Sequence, residues 1–103
     1  MLNNKDRAKL KKYAHSNDIL KFNVGKNGLE STVLDMLSKA LDKHEIIKIA
    51  FLRTSVDTYN LEEMILDISS FLKADVIQKI GKTIILYRKN PKLKDGINLN
   101  ELD

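Results

Sequence analysis

The chain has 103 residues, of which 43% are hydrophobic and 31% charged, a composition typical of one globular domain. It has no cysteine, so a disulfide framework and a thiolate zinc site are both excluded. No apolar run approaches the roughly 20 residues that a membrane helix needs. Residues 1–12 are polar and basic and do not resemble a signal peptide. We therefore expect a soluble, cytoplasmic protein.

Charge is unevenly distributed along the chain, whose formal net charge is +4. Residues 1–28 carry seven Lys and Arg against two acids, residues 29–75 carry five against nine, and residues 76–94 carry six with no acid. If the two basic segments pack side by side, they create a one-sided positive field, which is typical of proteins that bind polyanions. A charge that only keeps the protein soluble explains the same counts equally well.

The first half of the chain predicts a helix, a strand and a second helix. Asn3 or Asn4 can cap a helix that runs to about His15. Residues 19–24 alternate imperfectly and predict a strand that ends at Gly25. The clearest apolar periodicity follows, and it predicts a long amphipathic helix whose apolar face carries Leu29, Val33, Met36, Leu37, Ala40 and Leu41.

The second half predicts a buried strand, a third helix and a hairpin. Residues 46–52 are dense in β-branched and aromatic side chains, and Asn60 with Glu63 resembles a capping box before an apolar helical pattern. Two strands over residues 75–80 and 83–87 are separated only by Gly81-Lys82, which indicates a hairpin. We expect a domain over residues 1–90 and a loose polar tail over residues 91–103.

This order of elements, α-β-α-β-α-β-β, predicts a compact α/β single domain with a four-stranded mixed sheet covered by three helices. Strands that are joined through helices run parallel, and the closing hairpin is antiparallel. Amphipathic helices over such a sheet hide all of the apolar faces.

Few residues could carry catalysis. His15 and His44 each lack a partner at ligand-type spacing and are interpreted as residues at helix C-termini. No P-loop or dinucleotide fingerprint occurs. We therefore predict no catalytic residue, metal, cofactor or small-molecule substrate. Three alternatives stay open: a small RNA-processing enzyme that uses His15 or His44, a protein-interaction module that uses the acidic helix faces, and a DNA-binding protein.

The segment Gly25-Lys26-Asn27-Gly28 between a strand and a helix is the most informative motif. Two glycines let a nucleic-acid backbone approach closely, while the helix N-terminus and Lys26 supply positive charge. KH-type RNA-binding domains hold the nucleic-acid backbone with a Gly-x-x-Gly loop in the same way. A Gly-x-x-Gly pattern alone is common in turns, but this position and its basic flanks favour contact with phosphate.

Four blocks of the sequence resemble the signature of the CRM domain family, and in particular its stand-alone YhbY-type members. The blocks are Lys-Lys-Tyr-Ala-His at 11–15, Val-Gly-Lys-Asn-Gly-Leu at 24–29, His-Glu-Ile-Ile-Lys-Ile at 44–49 and the hairpin sequence at 76–88. The resemblance implies a fold similar to the C-terminal domain of translation initiation factor 3. It also implies RNA binding without catalysis, on ribosomal RNA or a precursor of the large ribosomal subunit.

The resemblance also implies which residues contact RNA. It places the RNA-contacting loop on the glycine segment, a basic surface on the first helix, and a terminal Tyr-Arg pair on Tyr87 and Arg88. With the basic residues near the hairpin, the predicted RNA-binding set is Lys5, Lys9, Lys11, Lys12, Gly25, Lys26, Asn27, Gly28, Lys82, Arg88 and Lys89.

Other residues depart from the family pattern or argue against base stacking. Glu30, Ala50 and Lys79 stand where the family has other residue types. Phe22, Phe51 and Phe71 lie within apolar patterns, so a base-stacking platform is not expected. We expect a monomer that holds RNA through phosphates with weak sequence selectivity.

Overall fold

The structure, a computed structural model, describes residues 3–24, 30–52, 61–93 and 96–99. Its helices are α1 (Asn4–Ser16), α2 (Ser31–His44) and α3 (Leu61–Leu72). Its strands are β1 (Lys21–Val24), β2 (Ile46–Phe51), β3 (Asp75–Ile80) and β4 (Thr83–Tyr87). The predicted order α-β-α-β-α-β-β is confirmed. Asn60, the predicted cap of α3, lies outside the described residues.

Local chemistry explains where several elements begin and end. The Asn3 side chain caps α1 by accepting the backbone N–H of Asp6 at 2.7 Å. Gly81 adopts a φ of 59° in the turn between β3 and β4, a conformation that costs glycine little. Glu45 ends α2 with a φ of 66°, which is unusual for a residue with a side chain. The backbone of Glu45 therefore turns sharply from helix into strand.

The four strands form one mixed sheet in the order β1-β2-β4-β3. β1 pairs with β2 in parallel, whereas β4 pairs antiparallel with both β2 and β3. The register of β3 shifts between Val76 and Gln78, so Ile77 is an extra residue there. The predicted mixed sheet, with one crossover pair parallel and the hairpin antiparallel, is confirmed.

Each face of the sheet has its own core. The larger, which we call the α2–α3 core, packs both of those helices on one face, with Leu37, Leu41, Ile47, Ile49, Met64, Ile68, Ile84 and Leu86 at its centre. The smaller, the α1 core, packs α1 on the other face through Leu10, Ala14, Ile46, Ile77, Ile85 and Tyr87. Because successive strand residues point to opposite faces, β2, β3 and β4 contribute to both cores, whereas β1 contributes only to the α2–α3 core.

The C-terminal segment 96–99 packs on the α1 core. Ile97 and Leu99 contact that core, and the Ile97 N–H donates to Glu45 Oε1 at 2.6 Å. The expectation of a loose tail is therefore wrong for these residues, because two apolar side chains and a buried carboxylate fix them. No helix among the described residues is long and apolar enough to cross a membrane.

Candidate nucleic-acid interface

The glycine segment, residues 25–28, lies outside the described residues, but both of its flanks are described. β1 ends at Val24, directly before the segment, and α2 begins at Ser31. The predicted strand and helix on either side of Gly25-Lys26-Asn27-Gly28 are therefore confirmed. The contacts of these four residues with RNA stay a prediction.

The N-terminus of α2 has no side-chain cap. Glu30 occupies the cap position with an extended backbone, its side chain makes no capping hydrogen bond, and the first turn has no acidic residue. The first N–H groups of a helix have no partner within the helix, and the helix dipole adds partial positive charge there. This end of α2 can therefore accept an anion, although the Glu30 carboxylate lies one residue before it.

Lys82 lies at the same end of the sheet as Val24, the last described residue before the glycine segment. The Leu52 N–H donates to Val24 O at 3.0 Å, and the Phe51 N–H donates to Lys82 O at 2.8 Å. The ends of β1 and β2 and the β3–β4 turn are thus neighbours. Since adjacent strands lie about 4.8 Å apart, β1 and β4 are separated by roughly 10 Å. A polyanion that binds beside Val24 can therefore also contact the exposed Lys82 side chain.

The lysines of α1 occupy the opposite face of the sheet from α2 and α3. α1 packs against β3, where Arg7 Nη1 donates to Val76 O. The first basic segment therefore contacts the start of the second one through α1 and β3. Lys5, Lys11 and Lys12 are exposed, whereas Lys9 is half-buried and donates from Nζ to Leu99 O at 3.0 Å.

Arg88 follows β4 and joins three elements. Its guanidinium donates to Leu72 O at 2.9 Å, to Ser38 O at 2.7 Å and to Asp42 Oδ1 at 2.7 Å. The first acceptor belongs to the end of α3 and the other two to α2. Only 21% of the Arg88 side chain is exposed. Its donors thus hold both helices against the sheet, and its predicted RNA contact stays a prediction.

Lys89 is exposed and lies at the other end of β4 from Lys82. With about 3.3 Å per strand residue, the backbones of these two lysines lie more than about 20 Å apart. The predicted set therefore does not form a single cluster, because Lys82 and Lys89 lie at opposite ends of β4.

Both histidines lie in the last turns of helices. His15, in the last turn of α1, hydrogen-bonds through Nε2 to Gln78 Oε1 at 2.8 Å, and His44 is exposed in the last turn of α2. Both positions match the predicted helix ends. Within the part of the chain that the structure describes, no group of three His, Cys, Asp or Glu side chains could hold a metal ion.

Sequence reasoning missed Glu45, which is buried to 1% exposure. Its carboxylate accepts the Asn90 N–H at 2.7 Å and the Ile97 N–H at 2.6 Å, so it ties the C-terminal segment to the end of α2. It lines a cleft of about 510 Å³ with Tyr87. Burial is the main reason why the pKa of Tyr87 lies above its ordinary value of 10.0, and the negative charge of Glu45 raises this pKa further. The sequence gives one indication of this role: Glu45 is an acidic residue between a helix and a strand, beside apolar residues.

The three phenylalanines differ in exposure. Phe51 is buried, and Phe22 packs against the α2–α3 core, both as predicted. Phe71 is 59% exposed, so its predicted place inside an apolar pattern is wrong. Leu72, its neighbour, takes the core position at the end of α3.

The fold and these sites define a small α/β domain with a mixed sheet, helices on both faces and basic groups at one sheet edge. The family model of the CRS1 / YhbY (CRM) domain matches residues 2–88, so the chain belongs to the CRM family.

Relatives and a solved structure agree with this family. The chain is 31% identical over 98 residues to "Probable RNA-binding protein YqeI" of Bacillus subtilis, covering 91% of this chain and 95% of that one. It is 36% identical over 69 residues to "Probable RNA-binding protein PA4753" of Pseudomonas aeruginosa, covering 67% of this chain but only 64% of that protein's length. The solution structure of SAV1595 from Staphylococcus aureus, whose proposed role is RNA binding, superposes with a TM-score of 0.71 at 28% identity and covers 91% of this chain and 95% of that one.

Proposed function

We propose that this protein binds structured RNA through its sugar-phosphate backbone and does so without catalysis. The observation that carries the proposal is the uncapped N-terminus of α2, which follows β1 at the end of the sheet where Lys82 also lies. The names of YqeI and PA4753 support RNA as the polyanion.

In this mechanism one phosphate lies at the strand-to-helix junction. Backbone N–H groups and Lys26 hold it, and the glycines Gly25 and Gly28 leave room for the sugar-phosphate chain. Lys82 holds a neighbouring phosphate across the edge of the sheet. The exposed lysines of α1 hold more distant phosphates of the same folded RNA. Arg88 is left out of this contact set because its donors already serve α2 and α3.

The cellular role we propose is in assembly of the large ribosomal subunit, with the protein acting as a cytoplasmic monomer on ribosomal RNA or its precursor. Phosphate contacts position a protein without reading base identity, so selectivity would come from RNA shape. This role rests on the family resemblance together with the basic surface.

A binding measurement tests the proposal. We expect the wild-type protein to bind a labelled ribosomal RNA hairpin with an affinity that falls about a thousandfold between 50 and 200 mM salt if it contacts about six phosphates. Lys26→Gln with Lys82→Gln should weaken binding by at least about tenfold. Lys39→Gln with Lys43→Gln is the matched control, because both lysines are exposed on α2 and the charge change is the same. Equal affinity of the two double variants would refute the proposed site.

A sedimentation experiment tests the cellular role. At low salt, the wild-type protein should sediment with a precursor of the large ribosomal subunit, and the Lys26→Gln, Lys82→Gln variant should not. If the variant still co-sediments, the association does not depend on this edge of the sheet.

A protein-interaction module is the second candidate function, because α3 exposes two large apolar side chains. Leu66 is 66% exposed and Phe71 is 59% exposed, on a helix that also carries Glu62, Glu63 and Asp67. A partner bound there would be insensitive to salt and to Lys26→Gln, and it would be lost in Phe71→Ser. This outcome, with no RNA binding, would favour the second candidate.

A further inference from the structure

On the α1 face of the sheet, α1 is the only helix that the described residues place, and it packs toward one side of that face. α1 packs against β3, at one edge of the sheet, whereas β1 forms the opposite edge. On β1 the residues that alternate with Phe22 and Val24 of the α2–α3 core are Lys21 and Asn23, and both are exposed. These two side chains therefore point to the α1 face, beyond the area that α1 covers.

Two lysines lie directly opposite each other on this face, at the margin of the α1 core, since the half-buried Lys48 also pairs in register with the buried Ile85 of β4. Lys21 of β1 pairs in register with Lys48 of β2. Lys48 lies between Ile47 and Ile49, which both face the α2–α3 core, so its side chain points to the same face as that of Lys21. Parallel strands lie about 4.8 Å apart, and like charges directly opposite each other on a sheet are destabilising.

Acidic side chains do not neutralise this pair. Among the described residues, neither lysine forms an ion pair or a side-chain hydrogen bond. The next row of the same face is uncharged and contains Asn23, Ala50 and Thr83 in register, followed by the half-exposed Ile80 of β3. The side chain of Ala50 is small, so an RNA backbone can lie across this row beside the two ammonium groups.

We infer that Lys21, Lys48 and the row Asn23, Ala50 and Thr83, here called the lysine-pair patch, form a second phosphate-binding surface for RNA. Two opposed ammonium groups attract a polyanion, and bound phosphate removes their mutual repulsion. The inference rests on the proposed function, which it deepens by extending the RNA contact from the end of the sheet at Val24 and Lys82 onto its α1 face.

The patch also has polar groups suited to an RNA strand. The exposed Asn23 amide can both donate to and accept from a 2′-hydroxyl, and the Thr83 hydroxyl has the same capacity. Both residues stand near the ends of their strands, next to the glycine segment and the β3–β4 turn respectively. The two surfaces can therefore serve one continuous strand.

The test compares two double variants with equal loss of charge in binding to a labelled RNA hairpin. Lys21→Gln with Lys48→Gln should weaken binding by about tenfold and lower the slope of log affinity against log salt by about 1 to 2, since each lost phosphate contact contributes about 0.7 to 0.9. Lys39→Gln with Lys43→Gln should change both quantities little. Lys21→Arg with Lys48→Arg keeps the charge and should retain wild-type affinity.

The possible results separate this inference from the proposed function. If the wild-type protein binds RNA and the Lys21, Lys48 variant matches its control, the lysine-pair patch is refuted while the proposed function stands. If the wild-type protein shows no salt-dependent RNA binding, the proposed function fails first. A second measurement needs no variant at all. On titration of the wild-type protein with RNA, the side-chain methylene signals of Lys21 and Lys48 should shift and those of Lys39 and Lys43 should not, and the reverse pattern would overturn the inference.

Discussion

Replacing Arg88 with lysine should destabilise the protein while leaving its RNA affinity unchanged. The substitution keeps the positive charge, so a loss of stability would reflect geometry. The Arg88 guanidinium reaches Leu72 O on α3 and Ser38 O on α2 at the same time. An ammonium group is a single point of charge on a flexible stem and cannot span both acceptors with the planar fork that arginine provides.

The magnitude follows from these contacts. A hydrogen bond from a charged donor contributes about 1.5 kcal/mol at the lower end of its range. The ion pair with Asp42 adds only about 0.5 kcal/mol, because 63% of the Asp42 side chain is exposed to water. Lysine can keep one helix contact and part of the ion pair, so Arg88→Lys should lower the free energy of unfolding by about 2 kcal/mol. In a domain of this size that corresponds to a melting temperature lower by roughly 8 °C.

Urea denaturation followed by circular dichroism measures this loss as a lower midpoint at constant slope. Asp42→Asn is the matched control, because it weakens the ion pair and leaves both carbonyl acceptors in place; we expect it to cost at most about 1 kcal/mol. RNA binding is then measured well below the melting temperature of Arg88→Lys. A midpoint equal to that of the wild-type protein would refute the structural role, and unchanged stability with weakened RNA binding would instead assign Arg88 to the RNA contacts.

Three further substitutions test the α1 side of the sheet. Gly96→Ala should lower the free energy of unfolding by about 1 to 2 kcal/mol, because the added Cβ would lie 2.5 Å from Glu45 Oε1 and displace a buried, hydrogen-bonded carboxylate; an unchanged urea midpoint would contradict this. Tyr87→Phe should leave stability at neutral pH unchanged or raise it by up to about 1 kcal/mol, because the buried Tyr87 hydroxyl has no hydrogen-bond partner among the residues that the structure describes. Since the folded protein raises the pKa of Tyr87, the contribution of Tyr87 to the free energy of unfolding should be fully present below pH 10.0 and be lost as the pH rises above it, so the wild-type protein should lose stability there more steeply than Tyr87→Phe; parallel pH profiles of the two proteins would contradict this. Leu10→Ala should cost about 3 kcal/mol and increase amide exchange in α1, since Leu10 is 0% exposed and anchors that helix, whereas unaltered exchange would mean that α1 is held by other contacts.

The elements that could be predicted from the sequence are those whose signals are local. The apolar periodicity of α2, the Asn3 cap of α1 and the Gly81 turn depend on neighbours within a few residues, and all three appear in the structure. On the predicted apolar face of α2, however, Met36 is wrong, because it is 45% exposed, and Leu29 lies outside the described residues. β1 is shorter than the predicted strand, because it begins at Lys21 and not at Ile19. Ile19 instead packs against the α1 core, an arrangement that its apolar character alone does not reveal.

The parts that could not be predicted depend on contacts between distant residues. Ile97 is an apolar residue within a polar tail. Its position depends on contacts with the Glu45 carboxylate and the α1 core, which are distant in the sequence. Phe71 and Leu72 fit the same apolar helical pattern, and the direction of α3 against the sheet decides that Leu72 is buried and Phe71 exposed. Local hydrophobicity identifies such helices but leaves an ambiguity of about one position at the edge of the apolar face.

Counts of charged residues along the chain do not show on which surface of the protein each charge lies. Lys79 belongs to the most basic segment, yet it faces α3 and forms an ion pair with Glu62 at 3.7 Å. Lys48 belongs to the acidic middle segment, yet it lies opposite Lys21 on the α1 face of the sheet. Neighbours along a strand point to opposite faces, so strand pairing, and not chain position, groups lysines into a surface. The lysine-pair patch that we propose is therefore visible only in the register of β1 and β2, which brings lysines from separate segments onto one face of the sheet.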